Sequence, residues 1–299
     1  MTAPARRVTV RVPATSANVG VGFDCLGFAL DLFATFAFEV ADEFAITGCP
    51  EHFRGTDNLT WTTYLDAMRE LGVEAPTLAI DIDSPIPLSG GLGSSSTCVV
   101  AGLVAAQVLA GRTVDPQLTV TMGTAVEGHP DNVAPAVLGG LVSSFVDGDQ
   151  TVTVRYDVAP NLRFVVLSPS YEVRTKAARE VLPRDVALTD AVWQLGRCVA
   201  VTRAFETGDC ELLAKACRDH LHEPYRSELI PDYPALREAA LASGAATFLI
   251  SGSGSSMVAI CDGDDVAARV ATAANDAVDG LWVRVMGASE KGMQVDVEA

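Results

Sequence analysis

Apolar and polar residues alternate from Val8 to Val12, a period of two that predicts a strand. A glycine-punctuated loop is expected from Thr15 to Gly27, and Phe33 to Val40 reads as a second strand. Thr60 to Leu71 sets apolar residues at helical spacing and stops at Gly72. Leu78, Ile80 and Ile82 then restore a strand's alternation before a loop at Ser84 to Gly93. From about Ser95 to Leu109 nearly every residue is apolar or small, which predicts a helix buried on most sides, with Gly111 placed to close it. Asp115-Pro116 is an N-cap and first-turn pair, opening a helix that runs to about Glu127 and ends at Gly128. Asn132 to Leu138 reads as a short helix and Leu141 to Val146 as a strand.

The second half begins near residue 160. Leu162 to Leu167 reads as a strand, and helices are predicted at about 174–181, 188–206 and 209–220. Pro231, Pro234 and Gly244 punctuate another helix. Thr247 to Ile250 and Met257 to Cys261 read as strands joined by the turn S-G-S-G-S-S, followed by a helix at Asp264 to Val278 and a strand at Leu281 to Val285. Strands with intervening helices and a hairpin predict a mixed α+β fold rather than a doubly wound parallel sheet.

The 299 residues are 49% hydrophobic and 20% charged, which fits a globular chain of about two domains and excludes a largely disordered one. A net charge of −17 argues against nucleic acid or an anionic membrane as partner, because both select basic surfaces. Any bound polyanion must therefore be held by a local arrangement. Only Lys176, Lys215 and Lys291 are lysines, which leaves few candidates for a lysine-dependent phosphate loop. Seven cysteines without a C-x-x-C pair fit reduced thiols, and the four histidines lack a zinc-site pattern. Neither an apolar signal region nor a run of 18 apolar residues stands out, so the expected location is the cytoplasm.

The chemistry concentrates between the strand near residue 80 and the apolar helix, in P-L-S-G-G-L-G-S-S-S: Pro87, Leu88, Ser89, Gly90, Gly91, Leu92, Gly93, Ser94, Ser95 and Ser96. The glycines allow close backbone approach, and the serines are expected to cap the helix. Free N–H groups and the helix dipole make such a terminus an anion site, and serine hydroxyls can add a phosphate contact or a magnesium ligand. No Gly-Lys-Ser/Thr follows, so this is not a Walker loop.

Together with this loop, five further segments resemble the GHMP kinase family and most of all its homoserine kinase branch. They are P-A-T-S-A-N-V-G-V-G-F-D-C-L-G (Pro13 to Gly27), E-G-H-P-D-N-V-A-P-A (Glu127 to Ala136), T-K-A-A-R-E-V-L-P (Thr175 to Pro183), E-P-Y-R-S-E-L-I-P (Glu223 to Pro231) and S-G-S-G-S-S (Ser251 to Ser256). The resemblance implies an α+β, two-domain GHMP kinase fold. Residues 1–160 would form a domain like ribosomal protein S5 domain 2, and 161–299 a ferredoxin-like domain. It also implies ATP and Mg2+, a homodimer, and phosphorylation of the L-homoserine hydroxyl in threonine biosynthesis.

Carried over position by position, the resemblance puts the substrate carboxylate on Arg179 and Arg226 and its ammonium on Asn18 and Asp24. Asn132 and His129 would lie near the reacting hydroxyl, with Thr175 near the transferring phosphate. Glu127 with Ser94 or Ser95 would hold the metal. Asn58, Thr97, Gly252 and Gly254 would join the loop in holding the nucleotide. Asp131 could accept the hydroxyl proton, but a loose phosphoryl-transfer transition state needs little early proton removal, so both routes stay open. A kinase of threonine or mevalonate is the rival, and the Asn18/Asp24 pair favours a substrate with an ammonium. A ligand-binding regulator would be expected to lack an intact phosphate loop or Glu127, and this chain has both.

Overall fold

The computed structural model describes residues 6–88 and 90–298. The first half runs β1 (Arg7–Ala17), β2 (Leu26–Val40), β3 (Ala45–Thr47), α1 (Leu59–Glu70), β4 (Leu78–Asp83), α2 (Ser94–Leu109), α3 (Pro116–Glu127), α4 (Val133–Leu138), β5 (Leu141–Asp147) and β6 (Gln150–Tyr156). Its sheet is organised around β2, which is 15 residues long. One edge of β2 pairs with β1 throughout; the other pairs with β5 through Leu26–Phe28 and with β4 through Thr35–Val40.

Both strands that flank the first motif are longer than the pattern predicts. β1 runs on past Val12, with its register shifting between Pro13 and Thr15, a bulge that accommodates a proline inside a sheet. β2 starts at Leu26 rather than Phe33, which shrinks the expected loop to residues 18–25. Leu26 to Leu30 is buried on both faces, so it lacks the alternation that marks a half-exposed strand. α2 matches its prediction, with Val99 to Gln107 buried. Asp115 caps α3 as expected, its Oδ1 accepting from Gln117 N–H at 2.9 Å and Leu118 N–H at 3.1 Å.

The second half continues with β7 (Leu162–Ser168), α5 (Thr175–Glu180), α6 (Leu188–Thr207), α7 (Cys210–Ala216), α8 (Glu223–Arg226), α9 (Tyr233–Ala242), β8 (Thr247–Ile250), β9 (Met257–Asp262), α10 (Gly263–Ala277) and β10 (Trp282–Met286). The helix expected over 209–220 stops at Ala216, where residues 217–222 turn away. These strands form an antiparallel sheet in the order β10-β7-β9-β8. That is the split β-α-β arrangement of a ferredoxin-like fold, so the α+β expectation holds. The last strand, β11 (Gln294–Glu298), returns to the first sheet and pairs with β1 from Arg7↔Glu298 to Arg11↔Gln294. Among the described residues no helix is long and apolar enough to cross a membrane.

Three phenylalanines join the two sheets. Phe28 on β2 lies 4.5 Å, centroid to centroid, from Phe164 on β7, and 5.5 Å from Phe205 on α6. All three are fully buried, so this contact couples the sheets through a dry core. Phe164→Ala is expected to cost about 3–5 kcal/mol, read from urea unfolding, within a single transition that reports both sheets.

Candidate active site

The loop between β4 and α2 exposes a helix end to a cavity. Gly93, not a serine, is the N-cap of α2; its φ is 69° and among the described residues no side chain caps the helix. The serines Ser94, Ser95 and Ser96 instead occupy the first turn, so their expected capping role does not hold. Their backbone N–H groups have no partner within the helix and lie at the positive end of its dipole. Gly91 also has a positive φ, 81°. A side chain on Gly93 would strike Thr15 Oγ1, and one on Gly91 the Ser251 carbonyl. Both must be glycine for the loop to lie against its neighbours.

At the far end of the same cavity lies the loop of residues 18–25. Asp24 receives a bidentate ion pair from Arg179, with both N···O distances 2.9 Å. Asn18, expected beside an ammonium, uses its amide on the chain itself. Its Nδ2 donates to the Gly252 carbonyl at 2.8 Å and its Oδ1 accepts from Asp24 N–H at 3.0 Å. Arg226 is buried and donates to the carbonyls of Gly252 (2.9 Å) and Ala178 (3.1 Å).

Between these ends sit the residues expected near the reacting hydroxyl. Asn132 Oδ1 accepts from Thr15 Oγ1 at 2.7 Å, which leaves the amide's N–H groups free to donate to a ligand. His129 Nδ1 lies 2.6 Å from Asp131 Oδ1. That hydrogen bond raises the His129 pKa above the usual histidine value, although burial works the other way. Ser95 Oγ donates to Glu127 Oε1 at 2.6 Å, bringing a carboxylate to the mouth of the helix. Thr175 Oγ1 lies 3.5 Å from Ser253 Oγ at the rim.

The cavity of about 730 Å³ gathers the expected residues from both halves. Asn18, Asp24, Asn58, Leu88, Gly90, Gly91, Gly93, Ser94, Ser95, Ser96, Thr97, Glu127, His129, Asp131, Asn132, Thr175, Arg179, Arg226 and Gly252 all line it. Pro87, Leu92 and Gly254 do not; Leu92 is buried and its carbonyl accepts from Thr15 N–H at 3.1 Å. Ser89 lies outside the described residues. Asn58 caps α1, its Oδ1 accepting from Thr60 N–H at 2.8 Å, so its side chain shapes the pocket wall.

The oxygen donors of Glu127, Ser94 and Ser95 beside the bare helix end suit a hard cation such as Mg2+. Asp24, His129 and Asp131 also bring ligand atoms within 4.8 Å of one another, but Asp24 is held by Arg179 and Asp131 by His129.

Sequence reasoning missed Thr15, Ser16 and Ser251. Ser251 Oγ donates to the Gly91 carbonyl at 2.7 Å and lies 2.8 Å from Ser16 Oγ. Ser256 N–H donates to the Gly90 carbonyl at 2.8 Å. Thr15 and Ser16 stand inside the P-A-T-S-A-N segment, so a signal existed, but their partners are distant in sequence. The turn from Ser251 to Ser256 fastens the loop rather than only facing a ligand.

Residues 58–140 match the description "GHMP kinases N terminal domain" and residues 201–280 match "GHMP kinases C terminal". The chain belongs to the GHMP kinase family. It is therefore a kinase that uses ATP, and the N-terminal match spans the glycine loop, Glu127 and Asn132. Among relatives in this family, the chain is 40% identical to the homoserine kinase of Gloeobacter violaceus over 302 residues, covering 97% of this chain and 99% of the relative. It is 40% identical to the homoserine kinase of Clostridium beijerinckii over 260 residues, covering 86% and 87%. The crystal structure of homoserine kinase from Cytophaga hutchinsonii is similar at a TM-score of 0.88 and 32% identity, covering 99% of both chains.

The raised His129 pKa carries a stability consequence. The charged pair with Asp131 stabilises the fold below the ordinary histidine value of about 6.5, and that contribution is lost as pH rises through the raised native value. Urea unfolding at pH 6 and pH 9 is expected to show wild type more stable than His129→Gln at the lower pH, with the gap narrowing at the higher.

Proposed function

We propose that this protein is a homoserine kinase that transfers the terminal phosphoryl group of ATP to the side-chain hydroxyl of L-homoserine. The products are O-phospho-L-homoserine and ADP, and the pathway served is threonine biosynthesis. The observation that carries this reading is the Asp24–Arg179 pair beside Arg226, in one cavity with the glycine loop. A free amino acid is a zwitterion, and a carboxylate next to guanidinium groups matches its two charges. A mevalonate-type substrate has no ammonium and would make no use of the second face of the Asp24 carboxylate.

The chain's own residues supply positioning and charge neutralisation. Gly90 to Gly93 and the first N–H groups of α2 hold the phosphates, in the way helix N-termini hold anions. Mg2+, held by Glu127 with Ser94 or Ser95, would neutralise charge on the transferring group. Asn132 donates to the reacting oxygens, while Thr15 fixes its orientation. Asp131 accepts a hydrogen bond from His129, and in this reading it orients the histidine rather than serving as the base. A loose transition state makes that sufficient.

We divide the chain into domains at residue 160, with β11 belonging to the first sheet. We also propose a cytoplasmic homodimer. All seven cysteines are free thiols, as suits a reducing compartment. Leu188, Val192, Leu195 and Val199 form an exposed stripe along α6, each between 61% and 79% accessible, at the spacing that seats one helix on another. Leu195→Glu is expected to convert a dimer into a monomer by light scattering; a wild-type monomer would end the dimer proposal.

The first test is ADP release with Mg-ATP and L-homoserine, L-threonine, L-serine or mevalonate at equal concentration. The expected result is a clear preference for homoserine in kcat/KM. Turnover of a different alcohol alone would reject the substrate assignment and leave the kinase. Asp131→Asn is expected to lower kcat less than tenfold, whereas a loss on the order of 10³ would point to general-base catalysis.

A further inference from the structure

The loop at the proposed substrate end is conformationally costly, and the segment that leads into Arg226 holds it. Asn18, Val19 and Asp24 have φ values of 70°, 45° and 55°. Left-handed backbone crowds a side chain, most of all a β-branched one such as valine, and it persists only where the surroundings over-determine it.

Those surroundings are the turn from Asp219 to Arg226. Asp219 Oδ2 accepts from the N–H groups of Leu221, His222 and Glu223 at 3.1, 2.6 and 2.7 Å, which fixes the turn. Gln194 Nε2 lies 2.5 Å from Asp219 Oδ1 and 2.8 Å from the Val21 carbonyl, linking the turn to the loop. His222 makes the more direct link. It is fully buried, its Nε2 is 2.7 Å from the Gly20 carbonyl, and its ring stacks on Phe23 at 5.2 Å between centroids. The guanidinium of Arg226 also lies over Phe23, 5.0 Å from the ring centre.

A carbonyl can only accept, so His222 must carry its proton on Nε2. Nδ1 is then a bare acceptor, and among the described residues it has no hydrogen-bond partner. A buried polar atom without a partner is costly, and for packing alone phenylalanine would serve better. What histidine adds at this position is the donor to Gly20.

We propose that His222 is a positioning residue: through the Gly20 carbonyl and the Phe23 ring it holds the 18–24 loop in the conformation that presents Asp24 to Arg179 and to the substrate's ammonium. This rests on the reading that the Asp24 end of the cavity takes the amino-acid substrate.

Steady-state kinetics of the full chain test it, with KM for L-homoserine and for ATP measured separately beside the thermal midpoint. His222→Phe keeps a ring and removes the donor, and is expected to raise the homoserine KM about tenfold while moving the ATP KM less than about twofold. His222→Gln can still offer an N–H to Gly20, and is expected to return the homoserine KM to within about threefold of wild type. Equal shifts in the two KM values, or a lower midpoint with both unchanged, overturn the proposal. If His222→Phe does not fold, His222→Asn carries the same test, since its shorter amide falls short of Gly20. Asp24→Asn separates the two layers. An unchanged homoserine KM there removes the substrate reading and this proposal together. A raised KM there with an unmoved one in His222→Phe overturns the positioning role alone.

Discussion

The turn from Ser251 to Ser256 is the contact on which the site depends. It touches the phosphate loop through the carbonyls of Gly90 and Gly91, and the substrate loop through Ser16 and through Gly252, whose carbonyl accepts from Asn18 and Arg226. Gly252 N–H also donates to the Ala17 carbonyl at 3.2 Å. Segments far apart in the chain are thus tied by bonds that each use a main-chain carbonyl or N–H on at least one side, the Ser251–Ser16 hydroxyl pair excepted. Positioning is most of what phosphoryl transfer asks of a protein, and this turn fixes the glycine loop against the 18–25 loop.

The protein carries a net charge of −17 yet binds a nucleotide that is itself a polyanion. Long-range attraction therefore works against the ligand, and the local field has to win. A bare helix end and glycine amides supply positive potential only within a few ångströms. Among the described residues lining the cavity, the basic side chains near the substrate end are arginines, and Arg179 and Arg226 are already engaged with Asp24 and with backbone carbonyls. Guanidinium groups held in this way lose little freedom when a carboxylate arrives.

Much of this was legible in the sequence, and the failures have physical causes. The strand–glycine loop–apolar helix unit could be read directly, because α2 is buried on most sides and so keeps a composition unlike a surface helix. The Asp115 cap could be read for the same reason, as a local rule with a local partner. The extent of β2 could not, since Leu26 to Leu30 is buried on both faces and carries no period. The pairing of Asp24 with Arg179 spans 155 residues, and no local pattern encodes such a distance. Asn18 shows the limit of carrying a role over by motif: it lines the cavity, but its amide holds the loop.

The return of β11 to β1 has a consequence for how the protein is made. Residues 7–11 find their partners at 294–298, beyond the whole second sheet in sequence, so one edge of β1 stays open until that distant strand arrives. An open strand edge presents unpaired N–H and C=O groups, a template for pairing with a neighbouring chain. Closing that edge is a long-range pairing, of the kind whose loop-closure entropy has to be met before the contact rewards it, so the completeness of the first sheet reports on the arrival of the second.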